Sequence, residues 1–92
     1  MPTVEMTPHL YRFFPMLENR KIVVPAGSVA EILQAVNEIA PGFIDYVLDE
    51  GGALRRHVAL SINHSIVVDR KTLSDQVPED GTVYIFQALS GG

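Results

Sequence analysis

The chain has no cysteine and no tryptophan. The first absence excludes disulfides, thiolate-ligated metals, iron–sulfur clusters and a cysteine nucleophile together. Basic residues are also few, 7 Lys and Arg against 11 Asp and Glu, leaving a net charge of −4. Nucleic acid is therefore not expected as a partner. The pairs Arg20-Lys21, Arg55-Arg56 and Arg70-Lys71 are scattered and read as solvated turn charges. Uninterrupted apolar runs fall short of the roughly 20 residues that span a bilayer, so no membrane association is expected. Met1 to Glu5 lacks the basic and apolar regions of a secretion signal, which predicts a cytoplasmic protein. Also missing are G-x-S-x-G, a P-loop and a glycine-rich dinucleotide fingerprint. His9, His57 and His64 show no local ligand spacing, so no metal site is expected. An autonomous enzyme finds no support in these residues.

What is present is a body of 92 residues, 47% hydrophobic and 20% charged, which fits one globular domain. Thr3 to Thr7 alternates weakly and reads as a strand interrupted by Pro8. His9 to Pro15 is aromatic and suits a helical turn or packed loop. Arg20 to Val24 is a β-branched strand stopped by Pro25-Ala26-Gly27. Ser28 and Glu31 have capping-box spacing. Beyond them Val29, Ile32, Leu33, Val36, Ile39 and Ala40 recur at helical intervals, until Pro41-Gly42 ends the pattern. Phe43, Ile44, Val47 and Leu48 predict a shorter helix before Gly51-Gly52. Asp45, Asp49 and Glu50 read as its solvated face.

Period two takes over from His57 to Asn63, with Val58, Leu60 and Ile62 on one face and Ala59, Ser61 and Asn63 on the other. Asn63-His64 is a hairpin turn, Ser65 to Val68 a return strand, and Leu73 to Val77 long enough only for a helical turn. Pro78-Glu79-Asp80-Gly81 is a turn, and Thr82 to Leu89 is the last strand. A single long amphipathic helix among interspersed strands predicts an α+β fold. Its form is the β-grasp, a mixed sheet of four to five strands with one main helix on one face. The globular domain is assigned to residues 1–86 and a flexible C-terminal tail to 87–92.

The last strand carries Val83 and Ile85 on one parity and Tyr84 and Phe86 on the other, so both of its faces are apolar. Either the sheet is covered on both sides there, or an aromatic residue, Phe86 foremost, lies in an exposed patch that docks a partner. Leu89-Ser90-Gly91-Gly92 then ends the sequence. Glycine lacks a Cβ, so two of them make a thin ribbon suited to a narrow channel, with the carboxylate as the working group.

The run Asp80-Gly81-Thr82-Val83-Tyr84-Ile85-Phe86-Gln87-Ala88-Leu89-Ser90-Gly91-Gly92 resembles the C-terminal signature of the MoaD/ThiS sulfur carriers, which are ubiquitin-like β-grasp proteins. Looser similarity covers most of the chain, including Leu54-Arg55-Arg56-His57-Val58. The resemblance implies a non-catalytic carrier. An E1-like adenylating enzyme, which uses ATP, would activate Gly92, a sulfur donor would convert it to a thiocarboxylate, and a sulfur-accepting synthase would receive the sulfur. No cofactor is bound by the carrier itself. By position, Gly91, Ser90 and Leu89 form the tail, and Phe86, Tyr84, Gln87 and Ala88 meet the partner. Extended, Gln87 to Gly92 spans roughly 20 Å.

The sequence departs from many molybdopterin-synthase small subunits at Gln87-Ala88, where those carry Pro-Pro, and at Asn63-His64, where relatives have Asn-Gly. Leu54-Arg55-Arg56-His57 looks more like carriers serving cysteine synthesis or specialised sulfur metabolism, with thiamin a further destination. Two other readings remain: a ubiquitin-like modifier forming isopeptide bonds through Gly92, and a β-grasp scaffold subunit whose Gly-Gly end is incidental.

Overall fold

This computed structural model describes residues 1–87 of the chain. Its elements in order are β1 (Thr3–Met6), α1 (Pro8–Phe13), a 3-10 turn (Pro15–Leu17), β2 (Ile22–Val23), β3 (Gly27–Ser28), α2 (Val29–Ile39), α3 (Phe43–Val47), β4 (Val58–Ile62), β5 (Ser65–Ile66), β6 (Gln76–Val77) and β7 (Thr82–Gln87). A five-stranded sheet runs β2-β1-β7-β4-β5, with β1 and β7 parallel and the other pairs antiparallel. This is the ubiquitin-like β-grasp, with α2 packed on one face of the sheet. Among the described residues no helix is long and apolar enough to cross a membrane.

The apolar stripe of α2 is the centre of the core. Val29, Ile32, Leu33 and Val36 are wholly buried, and they meet Val4, Met6, Leu60, Val83 and Ile85 from the sheet in one cluster. The helix begins where its sequence predicts. Ser28 Oγ accepts from Glu31 N–H at 3.2 Å, and the Glu31 carboxylate accepts from Ser28 N–H at 2.9 Å. Gly27 is needed beside this box, since a Cβ there would stand 2.6 Å from Glu31 Oε1. Two further donors at the helix start are satisfied from the far end of the chain, Val29 N–H by the Asp75 carbonyl and Ala30 N–H by that of Leu73.

Those last bonds correct the expectation of a helical turn at Leu73 to Val77. Leu73 takes a left-handed φ of 54°, which turns its side chain into the core, and Gln76–Val77 pairs with Gly27–Ser28 as a second, two-stranded sheet. Ladders this short have no periodicity for a sequence pattern to reveal. Charge assignments also change. Arg55 donates twice to the Asp45 carbonyl in α3, and Arg70 donates to the Arg55 carbonyl at 2.7 Å, so these two arginines tie their loops to the neighbouring backbone and are not merely solvated. Asp49 likewise closes its loop, accepting from Gly51 and Ala53 N–H. Asn37 on α2 reaches forward to accept from Gly42 and Ile44 N–H. It thereby caps α3, whose preceding Gly42 has φ 97°.

Between β5 and β6 the Asp69 carboxylate gathers Thr72 and Ser74. It accepts from their backbone N–H groups and from both hydroxyls. These bonds, the Thr72 hydroxyl foremost, hold the carboxyl well below its ordinary range.

Two outcomes follow for stability. Ser28→Ala removes one half of the capping box and lowers unfolding free energy by about 1 kcal/mol, read by urea denaturation. Asp69 has a depressed folded-state pKa, so its contribution is present above the ordinary Asp value near pH 4 and is lost as pH falls below it. Asp69→Asn therefore flattens the acid limb of a Tm-against-pH curve relative to the parent chain.

Candidate functional site

The site begins with the neighbours of β7. Val83 and Ile85 are wholly buried against α2's side of the sheet, which turns Thr82, Tyr84 and Phe86 to the opposite face. Residues directly opposite in paired strands share a face, so the registers assemble rows across it. One row reads Glu5, Tyr84, Ser61, Ile66, and the next pairs Phe86 with Ala59. The rings of Tyr84 and Phe86 stack at 5.5 Å and 20°. Tyr84 is 38% exposed and Ile66 59%, while the small side chains between them, Ala59 and Ser61, are 9% and 8% exposed. The result is an aromatic pair beside a small-residue floor with an aliphatic edge at Ile66.

Of the residues predicted to meet a partner, Tyr84 and Phe86 therefore share the outer face of a strand at the middle of the sheet, Tyr84 exposed and Phe86 half-buried, whereas Gln87 has the parity of Val83 and Ile85 and falls on the α2 side. Gln87 is registered with Val58, inside the ladder. Gly92, Gly91, Ser90, Leu89 and Ala88 lie outside the described residues. At the end of β7, Thr7 N–H donates to the Ile85 carbonyl. Thr7 Oγ1 and Gln87 Oε1 are both buried with no hydrogen-bond partner among the described residues.

The histidines do not converge. His9 and His57 stand at opposite ends of a run of rings, His9 against Phe13 at 5.3 Å, Phe13 against Tyr46 at 5.0 Å, and Tyr46 against His57 at 5.7 Å. His64 is in the hairpin turn, at φ 81°. Among the described residues no three His, Asp or Glu side chains gather into a group able to hold a metal ion.

Sequence reasoning did not find Glu5, Ser61 or Ile66 as neighbours of Tyr84. The alternation of β4 does put Ser61 and Ala59 on the non-core parity. Nothing local, however, announces that β1 lies parallel to β7.

No protein-family model matches the chain, and no curated protein sequence does. Solved structures do. CysO from Amycolatopsis orientalis, solved in a complex with BexX, superposes with a TM-score of 0.81 at 23% identity, covering 100% of both chains. CysO from Mycobacterium tuberculosis gives 0.82 at 17% identity, over 97% of this chain and 100% of that one. SAMP1 from Haloferax volcanii gives 0.74 at 17% identity, over 99% and 98%. At these identities the likeness is one of fold.

The two faces of β7 separate in a stability experiment. Ile85→Ala, in the core, costs about 2–5 kcal/mol by chemical denaturation, whereas Tyr84→Ala costs under about 1 kcal/mol. Equal losses at both positions would mean that the aromatic face is covered.

Proposed function

We propose that this chain is a sulfur carrier that docks through the Tyr84–Phe86 face and acts through the carboxylate of Gly92. One observation carries the reading: the strand that bears the stacked pair of exposed Tyr84 and half-buried Phe86 is the strand that precedes Leu89-Ser90-Gly91-Gly92 in the sequence. A partner held on that face receives the segment beyond Gln87 at a defined place. The MoaD/ThiS-like C-terminal run supports the same reading, as does the fold shared with CysO proteins, one of them solved with a protein partner.

The chemistry needs two enzymes and no catalytic group from the carrier. A carboxylate is a poor electrophile, so one of its oxygens first attacks the α-phosphorus of ATP within the adenylating partner, and pyrophosphate leaves. The acyl-adenylate then has a good leaving group. Sulfide delivered by the donor attacks the carbonyl carbon, AMP departs, a proton is lost, and Gly92 ends in a thiocarboxylate whose sulfur is nucleophilic. The carrier supplies docking and reach, and its partners supply catalysis. The receiving pathway, whether for molybdopterin, cysteine, thiamin or a specialised metabolite, is decided by which synthase recognises the docking face.

A second reading rests on a different comparison. SAMP1 from Haloferax volcanii is also described as small archaeal modifier protein 1, and such a modifier would use an activated Gly92 to acylate lysine amines. Intact mass separates the two after incubation with ATP, a sulfur donor and an adenylating enzyme. A single oxygen-to-sulfur exchange mapped to Gly92 supports the carrier, and adducts on lysines in extract support the modifier. Deleting Gly92 abolishes activation and leaves the Tm unchanged, because a terminal residue contributes little to the core. Activation that persists after the deletion would overturn both readings.

A further inference from the structure

Beside the aromatic pair, on the same face, Glu5, Ser61, Asn63, His64, Thr82 and Tyr84 line a cleft of about 420 Å³. We infer that this cleft takes the guanidinium of an arginine on the docking partner; the inference rests on the docking face proposed above and adds its charge requirement.

Glu5 is an unusual residue for its place. Glutamate is disfavoured in strands, and this one stands on a non-edge strand, level with Tyr84 in the neighbouring strand. The other lining residues carry no anionic charge. Its carboxylate has no ion-pair partner among the described residues, where the only salt bridge joins the Met1 amine to Glu79. Lys21, one step beyond the Val4–Ile22 register pair and the nearest cation along that ladder, makes no ion pair with it. No hydrogen bond among the described residues occupies the hydroxyls of Ser61, Thr82 or Tyr84. The Asn63 side-chain oxygen, by contrast, is committed to Thr82 N–H at 2.8 Å. The cleft thus offers one carboxylate, three free hydroxyl oxygens and the edge of an aromatic face.

That donor set matches a planar cation with several N–H groups better than a compact ammonium. A guanidinium lies flat against a tyrosine ring while directing two parallel N–H bonds to a carboxylate, and it is more weakly hydrated than lysine. Continuity with Phe86 and Ile66 describes the rest of the partner's surface, an arginine set in an apolar patch. The chain's own net charge of −4 favours a cationic approach.

Two measurements test this. In the first, the full chain is titrated with acetyl-Leu-Arg-Leu-amide and followed by amide NMR, with the citrulline analogue as the neutral isostere. Saturating shifts at Glu5, Ser61, Thr82 and Tyr84 are expected with the arginine peptide, and they should weaken at least several-fold with citrulline or in Glu5→Gln. Equal shifts for both peptides, or an unaltered Glu5→Gln, overturn the inference. In the second, with an adenylating enzyme that activates the parent chain, Glu5→Arg raises KM about tenfold at unchanged kcat and Tm. Parental KM in this variant overturns the inference and leaves the carrier reading standing. If the parent chain itself is never activated, the carrier reading fails, and the peptide titration still decides the cleft.

Discussion

The whole outer face of the sheet depends on the register of β7. Because Val83 and Ile85 alternate with Tyr84 and Phe86, the strand is apolar on both parities and does not by itself choose a face. A slip of one residue would bury the aromatic pair and expose two core aliphatics. The neighbours make the choice. Asn63 N–H donates to the Thr82 carbonyl at 2.9 Å, and Thr82 N–H donates back to the Asn63 side chain at 2.8 Å, clamping the start of the strand from the β4 side. From the other side Thr3 N–H donates to the Gly81 carbonyl at 3.0 Å. Opposite the rings stand the small residues Ala59 and Ser61.

The same principle of remote support governs α2. Its stripe packs the core, yet its first turn is held by the carbonyls of Leu73 and Asp75 and by a loop organised around Asp69. Both ends of the helix's environment are therefore polar assemblies built from short side chains, while the middle is purely aliphatic.

Legibility in the sequence follows the length scale of each signal. The eleven residues of α2 display a full apolar stripe and a capping box, and both were readable. The five residues of β4 alternate, and that too was readable. The two-residue ladders of β3 and β6 carry no pattern, and a left-handed Leu73 has no local cue. Arg55 and Arg70 read as solvated charges because their partners are backbone carbonyls, which leave no trace in side-chain pattern. At the site, the parity of Tyr84 and Phe86 was visible. The company they keep was not, since Glu5 comes from the opposite end of the domain and Ile66 from across a hairpin.

Parallel pairing of Thr3 with Thr82 also sets the order in which the domain can be completed. Its first strand has no central neighbour until its last has been synthesised, so the contact order of the sheet is high and its closure comes late. A nascent or truncated chain lacking β7 would hold Val4, Met6, Val58 and Leu60 on unpaired strand edges, a form open to proteases and chaperones. Folding is thus complete only when β7 is in place, and a chain cut before it lacks the strand that joins the two halves of the sheet.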